Sequence, residues 1–293
     1  MGKDSRLRQI WGQSEGEEIM GWNLHRVSLK LLSPMHIGWR KIGNLQQTRY
    51  YVPGRTLWGA LTARIARDCG EFDYMKTGID VDKFLRFSYF YPSDNEEKID
   101  PFPWTGKDEF EWRFIGSTVN TALDLGKKTA DEGSLHETEY IAPKTRDRKQ
   151  VYLIGYVFEH KDCGLNWKAA LTKLQIGGER TYGWGRVGID ESKGCARVAE
   201  IDLDGYDIEL DGEFPMIKLS ASRSVISHVL ADNQIDNFAS SGNIEPLIGL
   251  ETTKEERFGA EISAAQICWT PGTKFSKDHT FLIGKKGIWK SKS

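Results

Sequence analysis

Hydrophobic and polar positions begin to alternate near Trp22, and that point divides the chain. Before it, residues 1–20 mix charged and polar side chains without a period and are expected to form a flexible leader. From Leu24 to Leu32, apolar Leu24, Val27 and Leu31 interleave with Arg26, Ser28 and Lys30, which predicts a first strand closed by Ser33-Pro34. After a loop punctuated by Gly38 and Gly43, Pro53 and Gly54 mark a turn into a helix over Thr56 to Cys69. Its Leu57, Ala60, Leu61, Ile65 and Ala66 share one face, Arg64 and Arg67 flank it, and Gly70 is a stop signal. Residues 71–112 carry aromatic clusters broken by an acidic, proline-bearing stretch, the expected mark of a long insertion with little regular structure of its own. Phe114 to Leu123 and Ser134 to Ile141 read as two strands joined across a polar turn. The run from Val151 to His160 is rich in β-formers and nearly continuous in apolar character, as a central strand is. A short helix over Asn166 to Leu174 and a glycine-rich stretch follow.

Strand, helix, strand, strand, helix, strand predicts an α+β fold with a ferredoxin-like, RNA-recognition-type β-α-β-β-α-β core over residues 21–190. Beyond it the composition changes. Seven acidic residues fall between Glu200 and Glu213, and short β-like runs continue to a basic tail, so residues 191–293 are expected to form a β-rich C-terminal lobe.

Composition narrows the function. With 293 residues and 39% hydrophobic content, the chain can bury one large core or two modest ones. Its 28% charged residues cancel to a net charge of -2, which excludes a uniformly basic nucleic-acid-binding domain and requires any such surface to be local. The cysteines at 69, 163, 195 and 268 have no CxxC spacing, so neither a zinc site nor a disulfide framework is expected, and a reducing cytoplasm fits. No stretch approaches the roughly 18 apolar residues of a membrane span, and no apolar signal core opens the sequence.

Three basic features stand out. Between Glu18 and Asp68 there is no acidic residue, yet Arg26, Lys30, Arg40, Lys41, Arg49, Arg55, Arg64 and Arg67 all fall there. Such a window suits a polyanion, or else its charges pair with acidic stretches elsewhere, and different arginines can do each. The second feature is GGERTYGWGRV, residues 177–187. Gly177, Gly178, Gly183 and Gly185 permit tight backbone with main-chain N–H groups turned to a phosphate, Arg180 and Arg186 supply charge, and Tyr182 and Trp184 supply stacking planes. Glycine-aromatic loops also build tight hairpins without a ligand. Neither a Walker loop nor a Rossmann fingerprint is present, so no nucleotide cofactor is expected. The third is PKTRDRKQ, residues 143–150, where Lys144, Arg146 and Arg148 either touch RNA or form a solvated loop.

In order along residues 24–189, SPMHIG, YYVPGRTLWGAL, TADEGSLHETEYI and IGGERTYGWGRV resemble the RAMP superfamily of CRISPR-associated proteins. The resemblance implies a ferredoxin-like core, a proline-glycine entry that brings the first helix near RNA backbone (Pro53, Gly54, Arg55), and an RNA-side glycine-rich loop (Gly177, Gly178, Arg180, Gly183, Gly185, Arg186). Processing endonucleases of the superfamily carry that loop near the carboxyl end, whereas about 100 residues follow it here, counting down the sequence. Target-cutting backbone subunits of type III complexes use an aspartate after the first strand, and residues 38–54 contain no Asp or Glu. The branch that fits best is the subunit capping the 5′ handle of the guide RNA, without catalysis, cofactor or metal. Its expected partners are guide RNA, the large effector subunit and backbone RAMP subunits. Coating of the spacer, and metal-independent processing of repeat RNA with His36 as general base, are the alternatives.

Overall fold

The structure is a computed structural model, and it describes residues 21–70, 73–124, 126–190, 192–203, 205–221, 223–232, 235–251 and 261–292. The expected leader, residues 1–20, lies outside the described residues. The first part of the chain forms β1 (Trp22–Leu31), β2 (Gly38–Ile42), β3 (Leu45–Thr48), α1 (Gly54–Cys69), α2 (Tyr74–Phe84), β4 (Leu85–Phe87), β5 (Tyr91–Ser93) and α3 (Lys107–Phe114). It continues through β6 (Ile115–Asn120), β7 (Leu123–Asp124), β8 (Thr129–Ala130), β9 (His136–Ile141), β10 (Tyr152–His160), α4 (Trp167–Leu171) and β11 (Val187–Gly188). The C-terminal part adds β12 (Cys195–Val198), β13 (Tyr206–Glu209), β14 (Met216–Leu219), β15 (Val229–Leu230), β16 (Ala239–Ser241) and β17 (Ile244–Leu247). It ends with β18 (Leu250–Glu251), β19 (Glu261–Ile262), β20 (Gln266–Trp269), β21 (Lys274–Phe275), β22 (His279–Ile283) and β23 (Trp289–Ser291).

The central sheet grows from one antiparallel pair, β1 against β10, in register from Trp22 opposite His160 to Lys30 opposite Tyr152. The free edge of β1 takes β11 and β12, and the free edge of β10 takes β4 and β5, all antiparallel. Side chains on a strand alternate between faces. Val27, Leu29 and Leu31 of β1, with Leu153 and Val157 of β10, enter a core with Leu57, Leu61 and Ile65 of α1 and Trp167, Ala170 and Leu171 of α4. The opposite set, Trp22 and Leu24 with Ile154, Tyr156 and Phe158, packs against Ile217, Leu219, Phe281 and Trp289. Those belong to a seven-stranded sheet ordered β13-β14-β22-β23-β15-β20-β17. Helices therefore cover one face of the central sheet and the C-terminal sheet covers the other. Among the described residues, no helix is long and apolar enough to cross a membrane.

Two expectations change. The described part of the stretch 71–112, residues 73–112, is not irregular: it holds α2, capped where the Asp73 side chain accepts from Lys76 N at 2.9 Å, both edge strands β4 and β5, and the start of α3. The strand inserted after α1 therefore comes from residues 85–93. Every residue from Leu85 to Ser93 is buried, but the run is split by Phe90, which bridges to Val52, so no clean period-2 pattern reaches the sequence. The strands expected at 114–123 and 134–141 do pair, as β6 and β9 from Ile115 opposite Ile141 to Asn120 opposite His136. They belong to a separate sheet ordered β2-β3-β9-β6, with an exposed β2 edge.

A buried polar junction ties the C-terminal lobe to the core. Arg49 Nη1 donates to Glu245 Oε1 at 2.6 Å and to the Tyr51 hydroxyl at 3.1 Å. Fully buried His228 lies 2.6 Å from Glu245 Oε1 through Nε2 and 2.7 Å from the Tyr89 hydroxyl through Nδ1. Partial burial opposes ionisation of Glu245, but hydrogen bonds from His228 and Arg49, with the charge of Arg49, pull its carboxyl down to about 2. Burial pushes the His228 imidazole below its ordinary value, so the ring is neutral, with Nε2–H donating to Glu245 and Nδ1 accepting from Tyr89.

Gly155, in the middle of β10, has no room for a side chain, because a Cβ there would lie 2.4 Å from the Phe90 ring. Gly155→Val is expected to cost about 1–3 kcal/mol, read as a lower urea midpoint, while Ser117→Val on the exposed part of β6 is near neutral. At the junction, Glu245→Ala strands a buried guanidinium and is expected to cost about 3–5 kcal/mol. Both folded-state pKa values there are depressed, so their contribution is present above the unfolded values and is lost as pH falls. Acid titration of stability should therefore weaken the protein below about pH 6.5 for His228, and again below about 4.5 as Glu245 approaches its folded value. The lower segment should flatten in Glu245→Ala.

Candidate nucleic-acid interface

The glycine-rich loop is held closed at its base, where Ile176 N donates to Gly185 O at 2.8 Å and Gln175 bridges Arg186. Its glycines are required by how closely it docks on the segment after β1. Gly177 has φ +89°, and a Cβ on it would lie 2.4 Å from His36 O; Gly185 has φ +76°, and a Cβ there would lie 2.0 Å from Ile176 O. Gly178 N–H donates to His36 O at 2.9 Å, Gly185 N–H to Pro34 O at 2.7 Å, and Arg186 N–H to Ser33 Oγ at 2.9 Å. Gly183 N–H closes the turn on Arg180 O at 3.0 Å. The glycine amides at 178, 183 and 185 are thus engaged inside the chain, and what the loop presents outward is side chains: exposed Arg180, Arg186 and Tyr182, the last 79% exposed. Trp184 is half-buried, edge-on to Tyr140 at 5.2 Å between ring centroids.

The basic loop 143–150 docks on the other side of the same segment. Leu31 N donates to Val151 O at 2.9 Å, and Gln150 Nε2 donates to Leu31 O at 2.7 Å. A Lys144–Gln150 bridge and the Thr145 hydroxyl, which accepts from Lys149 N, fold it into a compact turn. Lys149 is drawn to Asp94 and Asp147, whereas Lys144, Arg146 and Arg148 are exposed. Arg146 Nε donates to Trp112 O at 3.2 Å. Two basic features separated in sequence thus flank one segment, residues 31–36. Among the described residues, Lys144, Arg146, Arg148, Arg180 and Arg186 have no ion-pair partner.

The basic window divides. Arg40 stacks on Trp39, with Cζ 4.1 Å from the ring centroid, and it and Lys41 project from the exposed β2–β3 hairpin. Arg49 is consumed by Glu245, Arg64 pairs with Asp68 one helical turn away, and Arg55 bonds Glu251 at 3.0 Å and Ser263 Oγ at 3.1 Å. Pro53 and Gly54 are buried, and the α1 entry lies under the C-terminal lobe: a Cβ on Gly54 would lie 2.6 Å from Lys286 O. His36 is 8% exposed, and its Nδ1–H donates to Glu139 O at 2.8 Å. Among the described residues, no three His, Cys, Asp or Glu side chains are arranged to hold a metal ion.

In the sequence Lys30 stands out only as one member of the acid-free window, and nothing marks Tyr140 as a contact. Tyr140 lies flat over Gly116, where a Cβ would meet its ring at 2.8 Å. The glycine is on a different strand, so the sequence signal was only the tyrosine's presence in the third RAMP-like motif.

Solved structures to which this chain is similar include the following three. One, in the type III-B Cmr-beta complex bound to cognate target RNA and AMPPnP, is 15% identical, with a TM-score of 0.49 and 85% of each chain covered. One from that complex bound to cognate target RNA is 14% identical, with a TM-score of 0.47 over 85% of this chain and 86% of that one. One from its apo state is 10% identical, with a TM-score of 0.37 over 60% of this chain and 97% of that one. No curated protein matches the sequence. The RAMP superfamily model matches residues 28–188, from within β1 to the end of β11, which spans the docked glycine-rich loop and more than half of the sequence, and the chain belongs to that superfamily.

Proposed function

We propose that this chain is a non-catalytic RNA-binding subunit of a CRISPR type III effector complex and that it grips the 5′ handle of the guide RNA. Its core is read as ferredoxin-like. The sheet order β11, β1, β10, β4/β5, all antiparallel with α1 and α4 on one face, supports that reading. In an RNA-recognition sheet the bases stack on the open face, but here that face is covered, so RNA is held at the end of the sheet instead. The observation that carries the proposal is the meeting of the glycine-rich loop and the 143–150 loop on residues 31–36, with five exposed, unpaired cations between them. Positive charge placed this way meets backbone phosphates, and the stacking planes of Tyr182 and Trp184 suit single-stranded bases. Arg40 and Lys41, exposed on the β2–β3 hairpin, are read as further cations for the RNA. Arg49, Arg55 and Arg64 act through their carboxylate partners, holding the lobes and α1 in place. Guide RNA, the large subunit and backbone RAMP subunits are its partners, in the cytoplasm.

Binding of handle RNA by the purified chain or its complex should weaken with salt. About four phosphate contacts give a slope of log K against log salt near −3. Arg180→Glu with Arg186→Glu should remove two contacts and flatten that slope by about 1.4. A salt-independent affinity, or guide assembly unchanged in the double variant, rejects the proposal. Repeat RNA incubated without metal should stay intact; products that vanish in His36→Ala would favour the ribonuclease alternative.

A further inference from the structure

Beside the 143–150 loop, between the end of β1, the start of β6 and the end of β9, lies a cleft of about 640 Å³. Its walls combine apolar Leu32, Pro34 and the Tyr140 ring with the cations Lys30, Lys144 and Arg146. No Asp or Glu lines it. Arg113 also lines it but is neutralised by Asp94, whereas Lys30, Lys144 and Arg146 have no ion-pair partner among the described residues. Leu32 is 49% exposed, which leaves an apolar surface open beside charge. The floor is rigid: Tyr140 is pressed on Gly116 and braced edge-on by Trp184 of the glycine-rich loop. One further lining group sets polarity. Gln150 Nε2 donates to Leu31 O at 2.7 Å, Val151 O at 2.9 Å and Pro143 O at 3.1 Å, which fixes the amide and commits its donors. Its Oε1 makes no hydrogen bond among the described residues, so the polar atom that Gln150 offers a ligand is an acceptor.

We propose that this cleft receives one everted nucleotide of the bound RNA, its base on Leu32, Pro34 and Tyr140, its phosphate at Lys30, Lys144 and Arg146, and an exocyclic amino group at Gln150 Oε1. This rests on the RNA-binding reading and adds a base-selective site to it. A flat apolar floor with cations at the rim matches a nucleotide, whose base has a π-face and whose phosphate is anionic. With the three rim cations engaged by the phosphate, an acceptor at this place favours a base that turns an exocyclic amino group to it, as adenine, cytosine and guanine can, over uracil, whose exocyclic groups are both carbonyls.

The experiment uses the full chain and handle RNAs that each carry one abasic residue. One position should lose about tenfold in affinity, as base–aromatic stacking of about 1.4 kcal/mol requires. At that position uridine should bind about tenfold worse than cytidine, the cost of leaving one polar partner unmet. Both effects should disappear in Tyr140→Leu and shrink in the exposed pair Lys144→Glu with Arg146→Glu, which keeps the test open if the tyrosine variant is unstable. The Arg180→Glu, Arg186→Glu variant should instead weaken every RNA alike and preserve the position-specific loss. If RNA binds with salt dependence but no single position is sensitive, or if the sensitive position is unchanged in both cleft variants, the cleft proposal is overturned and the RNA-binding reading stands. If free nucleoside monophosphates compete at the cleft as well as the RNA does, the site takes loose nucleotides and the proposal is overturned. If no RNA binds, both fall.

Discussion

The arrangement of this protein follows from one constraint: β10, and β1 over Trp22 to Leu24 on one face and Val27 to Leu31 on the other, bury apolar side chains on both faces, so the sheet they form must be covered twice. One cover is local, since α1 and α4 follow within the same unit and lay Leu57, Leu61, Ile65 and Trp167 on the odd-numbered face. The other comes from residues 201–289, whose sheet closes over Leu24, Ile154, Tyr156 and Phe158. Full burial of side chains of this size contributes about 1.5–3 kcal/mol each, which makes the second cover a large part of what holds the molecule together. It also removes the flat sheet face as a binding surface, leaving the loops at the sheet's end as the place where backbone, charge and rings are exposed together.

Electrostatics divides along the same boundary. The acid-free window looked like a single field in the sequence, but folding sorts its charges. Arg49 and Arg55 turn toward the second cover and meet Glu245 and Glu251. Arg40 and Lys41 turn outward, and the 143–150 and 177–187 loops also carry exposed charge. A net charge of -2 is thus compatible with a local cationic surface, because many carboxylates stand elsewhere and some are spent pairing buried arginines.

What was legible depended on how far the determining interaction reaches along the chain. β1, α1 and β10 declare themselves because period and punctuation are local, and so does the glycine-rich loop as a motif. The edge strands β4 and β5 do not, since each is three residues long and the run between them is buried without alternation. The fate of Arg49 and Arg55 was hidden for a different reason: each partner lies 196 residues away. The glycines at 177, 178 and 185 were read as openings for a phosphate, yet their neighbours in space are Pro34, His36 and Ile176, and their first task is to let two backbones touch. The 143–150 loop gave no strong signal alone, because its significance is its docking beside residues 31–36.

Gly54 and Gly287 meet with almost no space between them: a Cβ on Gly287 would lie 3.2 Å from the Gly54 Cα and 2.8 Å from Phe87 O. The two residues are made at very different moments on the ribosome. Residues 22–160 emerge with both faces of their sheet to cover, and the helices can cover only one. Until Phe281, Gly287 and Trp289 arrive, Tyr89, Tyr91, Ile154 and Phe158 form a sticky surface on the nascent chain. The seam at Gly54 therefore acts as a late latch on synthesis, and an enlarged side chain on either side of it would prolong the interval in which the half-covered protein can aggregate.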